Sequence, residues 1–275
     1  MTAFWNNTKT AILLGLMIAL IMGIGALIGG TQALLPAFIF AMIMNVGAFL
    51  FSDKIAIASM RGQPADPQRD ADLITMVERL AKNAGLPKTP DIYVCPQQAP
   101  NAFATGRSPS KAAVAVTQGA MQLLTYDELE GVMAHELAHV KNRDTLTSTI
   151  AATIAGAISF VVWMFLWDRD AHPLVKIGVF ILAPIAAGII QMAISRSREF
   201  VADHDGAEIA GTPNGLISAL QKLEASAKRI PLENETPAQN HMFIVQPLSA
   251  TKALSSLFAT HPSTEDRIAK LSQMR

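Results

Sequence analysis

The sequence predicts a mainly α integral membrane protein, with four transmembrane helices and an α+β domain facing the cytoplasm. Three observations carry that prediction. Charged residues make up only 16% of the 275 residues, well under the roughly 25% usual for a soluble chain. Apolar residues make up 51%, and the mean hydropathy is +0.31, a balance that excludes disorder. The apolar residues also gather into uncharged runs, in two pairs, instead of spreading evenly.

The first two runs, Ala11–Ile28 and Leu34–Phe51, each hold 18 uncharged residues, close to the lower limit for a helix that crosses a bilayer. Gly29-Gly30-Thr31-Gln32 separates them as a short turn. Thr147–Trp167 and Ile177–Ile194 form the second pair, around the polar turn Asp168-Arg169-Asp170-Ala171-His172-Pro173. Soluble cores rarely hold helices that stay uncharged all round for this length, so each pair reads as a transmembrane hairpin. A signal peptide with Lys9 as its basic region would explain the first run alone, and a second run follows at once. Basic residues near the span ends set the orientation. Lys9, Lys54, Arg61, Lys141, Arg143, Arg196 and Arg198 share one side, and only Arg169 and Lys176 lie on the other. Both termini and both polar segments then face the cytoplasm. The chain divides into a first hairpin (1–51), a polar segment (52–146), a second hairpin (147–194) and a second polar segment (195–275). An even number of spans separates the polar segments, so they can build one domain.

Lysine plus arginine number 22, and so do aspartate plus glutamate. A net charge of zero argues against nucleic acid as the main partner, because phosphate binding needs a basic surplus. The single cysteine, Cys95, excludes an internal disulfide and a cysteine-only metal site. On a strand it reads as a small buried apolar residue.

Within the polar segments, Leu73, Met76, Val77, Leu80 and Ala81 share one face of a helix over 70–84. Gly85 and Pro87 stop it. Asp91–Cys95 and Ala112–Thr117 read as strands, with Asn101–Gly106 between them as an edge strand. Asp127–Asn142 reads as a helix, with Thr125 as its N-cap and Glu128 in capping-box spacing. Helices follow over 198–210 and 214–226. Residues 230–250, with Pro231, Pro237 and Pro247, read as a loop, and Ser263 caps a last helix running to about Met274.

His135-Glu136-Leu137-Ala138-His139 lies inside the 127–142 helix. A spacing of four brings both imidazoles to one face, about 40° apart at 3.6 residues per turn. Two neutral ring nitrogens can then reach one Zn²⁺ at roughly 2.0–2.1 Å. Glu136 points toward the open side of such an ion, where it can take a proton from a water acidified to a pKa of about 7. A helix with two surface histidines is the bland alternative, and the flanking Val132, Met133 and Val140 argue against it. One Zn²⁺ per chain needs a third protein ligand. His172 falls on the opposite side of the membrane, while His204, His241, His261 and several carboxylates remain open.

Three further segments carry a resemblance. Ser195-Arg196-Ser197-Arg198-Glu199-Phe200-Val201-Ala202-Asp203 resembles the S-R-x-R-E-[FY]-x-A-D motif of HtpX-type membrane zinc proteases. Asn101-Ala102-Phe103-Ala104-Thr105-Gly106 matches their N-A-F-A-T-G segment. Thr260-His261-Pro262, followed by Arg267-Ile268, is similar to their T-H-P-x-x-x-x-R-I. The likeness covers the whole chain, and this family shares a superfamily with the CAAX prenyl endoproteases. It implies a cytoplasmic α+β zincin-like protease domain carrying a small sheet, at a bacterial inner membrane. It also implies that Glu199 is the third zinc ligand beside His135 and His139. Asp203, one turn beyond, is expected to hydrogen-bond a zinc-bound histidine and fix its tautomer. His261 is expected to contact substrate or the oxyanion. Asn101, Ala102, Phe103 and Ala104 are expected to bind an extended peptide along a backbone edge, with Asn101 polarising the scissile carbonyl.

The implied activity is zinc-dependent cleavage of misfolded or damaged membrane proteins and unfolded polypeptides, next to the lipid bilayer. Two readings compete with it. CAAX-type processing proteases have more spans and an enclosed chamber, and four spans are expected here. A non-catalytic metal-binding membrane adaptor would have no use for Glu136.

Overall fold

The computed structural model describes residues 30–144, 198–227 and 262–274, with isolated positions (8, 12, 15, 18, 19 and 22) before them. A 3₁₀ turn at Gly30–Ala33 leads into α1, Leu34–Ser59. This helix contains the expected 34–51 span and runs eight residues past it without a break. The composition changes at residue 52, but the secondary structure does not. Leu35, Ile39, Ile43, Val46 and Phe51 are each about half exposed or more, whereas Ile57 and Met60 at the far end are buried. Among the described residues no helix is long and apolar enough to cross a membrane. The expected spans 147–167 and 177–194, the 230–250 loop and His261 lie outside the described residues, and 11–28 is described at isolated positions only.

Four strands form one sheet, in the order β1-β2-β4-β3. They are β1 (Gln63–Pro64), β2 (Asp91–Cys95), β3 (Ala102–Ser108) and β4 (Lys111–Thr117). β2 and β4 are parallel, with Ile92 opposite Val114, while β3 and β4 are antiparallel, with Phe103 opposite Ala115. β3 is therefore an edge strand, as expected, and extends two residues beyond Gly106. The ladder shifts register between Gly106 and Ser108. Gly106 has φ +124°, and a Cβ there would strike the Lys111 carbonyl, so only glycine fits the bulge. β1 is too short for an alternating pattern to announce it.

Side-chain alternation sorts the sheet into two buried faces. Val94, Ala102, Val114 and Val116 join the main core, while Cys95, Phe103, Ala113 and Ala115 pack on Ile57 and Met60. The Cys95 thiol is buried as expected, and burial pushes its pKa up to about 11. The main core is closed by helices. α2 (Ala71–Asn83) buries Leu73, Met76, Val77, Leu80 and Ala81. It starts one residue later than predicted because Asp70 is engaged upstream, accepting from the Asp66 amide at 2.9 Å. A short helix, α3 (Gln118–Leu123), follows β4 and is capped by the Thr117 hydroxyl.

α4 (Tyr126–Asn142) runs through the centre of the domain, and α6 (Asn214–Ala227) lies along it. A Cβ at Gly131 would meet the Leu216 amide, and one at Gly215 the Asp127 carbonyl, so the two backbones touch. The remaining helices are α5 (198–210) and α7 (Thr264–Leu271), the latter capped by Ser263 and followed by a 3₁₀ turn to Met274.

Glu128 ties the start of α4 to α6. Its carboxylate accepts from the Thr125 amide at 2.8 Å, completing the expected capping box, and from Lys222 at 2.7 Å and the Ser218 hydroxyl at 2.5 Å. Burial alone would raise its pKa, but Lys222, Ser218 and Thr125 outweigh it and hold the group at about 2. A depressed folded-state pKa stabilises the fold above the unfolded value and loses that contribution as pH falls through the folded one. We expect Glu128→Gln to cost about 1.5–3 kcal/mol at neutral pH. The deficit against wild type should shrink between about pH 4.5 and pH 2, measured by chemical unfolding. A pH-independent deficit would assign the cost to shape rather than charge.

Candidate active site

The capping box starts α4 at Tyr126, which sets the phase of the helix and puts His135 and His139 on one face. Their ring centroids are 4.7 Å apart and nearly perpendicular. α5 crosses this face at very close range. A Cβ at Gly206 would lie 2.9 Å from His135 Cα, so the helices meet backbone to backbone. That approach brings Glu199 between the imidazoles. One carboxylate oxygen lies 3.6 Å from His135 Nε2 and the other 3.6 Å from His139 Nε2.

The donor atoms of His135, His139 and Glu199 lie within 4.8 Å of one another. Three ligands at 2.0–2.1 Å on a tetrahedral ion are about 3.3–3.4 Å apart. The two carboxylate–imidazole separations, 3.6 Å each, come within a few tenths of an ångström of that. Two imidazoles and one carboxylate are also the donor set of a catalytic metal, which keeps a fourth position for the reaction. The residues present therefore fit the ion that the sequence implies.

Each histidine is held from behind by a carboxylate. His135 Nδ1 is 3.0 Å from Asp203 Oδ1, the contact expected from the i,i+4 spacing of Glu199 and Asp203. His139 Nδ1 is 3.0 Å from Asp144 Oδ2. With the proton on Nδ1 of each ring, next to its carboxylate, both Nε2 lone pairs are left for the shared point. Burial disfavours a charged His139, but the Asp144 hydrogen bond and the charges of Glu199, Asp144 and Glu136 prevail, raising its pKa to about 9. Asp203 is buried too, yet Arg267 and His135 bring it down to about 2.

Arg267 comes from α7 and is wholly buried. Its Nε donates to Asp203 Oδ2 at 2.9 Å and its Nη2 to Oδ1 at 2.6 Å. Its Nη2 is also 3.4 Å from His135 Nε2, and its Nη1 is 3.7 Å from Glu199. Arg198, at the start of α5, reaches Asp144 through its carboxylate at 3.6 Å and its backbone carbonyl at 3.3 Å. Sequence reasoning missed Asp144, Arg198 and Arg267 as site residues. Both arginines stood in the recognised motifs, where their signal was available. Asp144 lies outside any helical spacing from His139 and gave none.

Glu136 is buried beside the triad. Burial raises its pKa, and the Glu199 charge adds to that, while the imidazoles and the Ala104 backbone amide work the other way. Ala104 belongs to β3. The Thr117 amide donates to the Asn101 carbonyl, and alternation along an antiparallel ladder then turns the N–H and C=O of Ala102, Ala104 and Gly106 to the outer edge. The edge of the sheet thus runs past Glu136. Phe103 is a core residue, packed on the α1 side of the sheet. Asn101 is almost fully buried, its backbone amide held by the Thr117 hydroxyl at 2.8 Å. His204, an open alternative for the third ligand, is exposed and sits with Asp205 and Glu208 away from the triad.

Comparison with known proteins agrees with this geometry. The profile of Peptidase family M48 matches residues 67–275. The chain is 50% identical to the protease HtpX homolog of Desulfatibacillum aliphaticivorans, over 98% of this chain and 90% of that one. It is 49% identical to that of Persephonella marina (98% and 97% covered) and 47% identical to that of Pyrococcus furiosus (96% and 94% covered). Among solved structures, the crystal structure of S. mikatae Ste24p superposes with a TM-score of 0.55 at 18% identity, over 98% of this chain. The chain spans 64% of that protein's length, and the likeness is one of fold. With a two-histidine, one-glutamate constellation on the helices that such a fold provides, the chain belongs to peptidase family M48, as a metallopeptidase of the HtpX type.

Proposed function

We propose that the chain is a zinc endopeptidase of the membrane surface, which cleaves unfolded or misassembled segments of membrane proteins. One observation carries the reading: Glu136 lies between the His135–His139–Glu199 constellation and the outer edge of β3. Zn²⁺ held by those three side chains would polarise the scissile carbonyl and acidify the attacking water. The rest falls to the chain's own groups. An extended peptide pairs with the outward amide and carbonyl of Ala102 and the carbonyl of Ala104, which recognise backbone and so accept varied sequences. Glu136 takes the proton of the attacking water and hands it to the departing amine. Asp203 and Arg267 hold His135 in its metal-facing tautomer, and their burial excludes water from behind the site. His261 remains a candidate for contact with the substrate.

The membrane part of the proposal is supported by the uncharged runs of the sequence and by the exposed apolar residues 35–51 of α1. An apolar surface of this extent on a soluble protein would be an aggregation liability. Quality control of membrane proteins is the role such a site would serve, with the triad facing the cytoplasm.

We expect Glu136→Gln to keep its metal and lose about 10²–10⁴-fold in cleavage of a casein-like unfolded substrate. Near-normal turnover would remove Glu136 from the chemistry, and preferential cleavage of a prenylated peptide would favour the CAAX-type reading. Glu199→Ala should lose both bound metal and activity, read by metal analysis of the purified chain. Full metal content in that variant would mean that another group is the third ligand. In a Cys95→Ala background, single cysteines at Ser110 and Ser272 should label from the cytoplasmic side, and one at Ala171 from the opposite side. Labelling of 110 and 272 from different sides would separate the two halves of the site.

A further inference from the structure

Asp144 and Arg198 stand on either side of residues 145–197 in the chain, and they meet behind His139. Helical geometry alone would not bring this about, because a residue five positions after His139 points about 140° away from it. The turn is made by Arg143, the C-cap of α4, which adopts the left-handed conformation at φ 60° and sends the chain back over the last turn. Asp144 then lies 3.0 Å from His139 Nδ1 and is almost fully buried. Arg198 is buried beside it and contacts both its carboxylate and its backbone carbonyl. A buried Asp–Arg pair is a poor way to gain stability, since desolvating two charges offsets most of their attraction. Its merit is to fix position. The same arrangement occurs a second time at the other histidine, where Asp203 and Arg267 stand behind His135.

We propose that Asp144 and Arg198 are positioning residues of the metal site. They close the neck of the 145–197 excursion and hold the His139 imidazole with Nε2 toward the ion. Residues before the excursion supply the histidines, and residues after it supply Glu199. The neck pair joins the two, so the spacing between the ligand helices is set within contact of the ligands. The inference rests on the metallopeptidase reading of this site and adds what keeps the site aligned.

The test uses the full-length protein in detergent. Zn²⁺ affinity is measured by competition with a chromophoric chelator, and the geometry is read from the visible absorption of Co²⁺ bound in place of Zn²⁺. Asp144→Asn should weaken Zn²⁺ binding about 10–100-fold and alter the Co²⁺ bands. Asp144→Glu should restore part of the loss. Arg198→Gln should act in the same direction, and the double variant should bind only as weakly as the worse single one, as members of one network do. Arg198→Gln leaves the carboxylate in place and carries the test should Asp144→Asn not fold. Wild-type affinity and Co²⁺ bands in both single variants, with only the melting temperature of the metal-free protein lowered, would overturn the inference and leave the metallopeptidase reading standing. Wild-type protein that took up no Zn²⁺ would overturn both.

Discussion

The whole site depends on how closely α5 lies against α4. At Gly206 the contact is backbone on backbone, with no side chain between. Glu199 and Asp203 stand on the same face as Gly206, at helical spacing, so this contact sets their height above the histidines. The 3.6 Å separations of Glu199 from the two Nε2 atoms leave little room. Moving α5 outward by even about 1 Å would take the carboxylate beyond what one tetrahedral ion can bridge. The glycines that seat α6 on α4 serve the same end one to two turns earlier along the helix, by keeping α4 in place.

Charge explains why so many polar groups are buried together. Glu136, Asp144, Glu199 and Asp203 are buried acids, and Arg198 and Arg267 are the buried arginines among them. Fully ionised, four negative charges face two positive ones, a difference of two that a divalent cation makes up. Without the ion the acids have to share protons with the imidazoles, in keeping with the raised pKa values of Glu136 and His139. The site is electrostatically built for occupancy: Arg198 reaches His139 through Asp144, while Arg267 clamps Asp203 and also approaches His135 Nε2 and Glu199 directly.

The histidines, the capping box and the amphipathic face of α2 were legible because each follows a fixed helical period within one segment. The β3 edge was legible from Pro100 and Gly106 around a short apolar stretch. Glu199 as third ligand was implied only by resemblance; spacing alone left it level with His204, since nothing local says which face of α5 turns inward. Asp144 was hidden because it depends on one left-handed residue, Arg143, which carries none of the usual marks of that conformation. Arg267 was hidden for a different reason. It acts across 64 residues from Asp203, and a buried arginine reads in a sequence like any charged residue of a surface helix. α3 and β1 are too short to show a period at all.

α1 and β3 run alongside each other, and this gives the protease a direction. Arg107, near the end of β3, donates to the Leu50 carbonyl, while Phe103, four residues earlier, packs with Ile57 and Met60. The seven steps of α1 from Leu50 to Ile57 rise roughly 11 Å, and the four steps of β3 from Arg107 to Phe103 cover about 13 Å, so helix and strand keep pace. With the apolar part of α1 seated in a bilayer, as proposed, the Arg107 end of the strand lies at the lipid surface and the Ala102 end farthest from it. A polypeptide leaving the bilayer would meet the strand at Arg107 and reach Glu136, beside Ala104, after about 10 Å, or some three extended residues. A membrane protein whose loops hug the lipid cannot spare even that length. One that has slipped out of register, or lost its partner helix, can. The height of a rigid post would then sort intact substrates from damaged ones before any side chain is read.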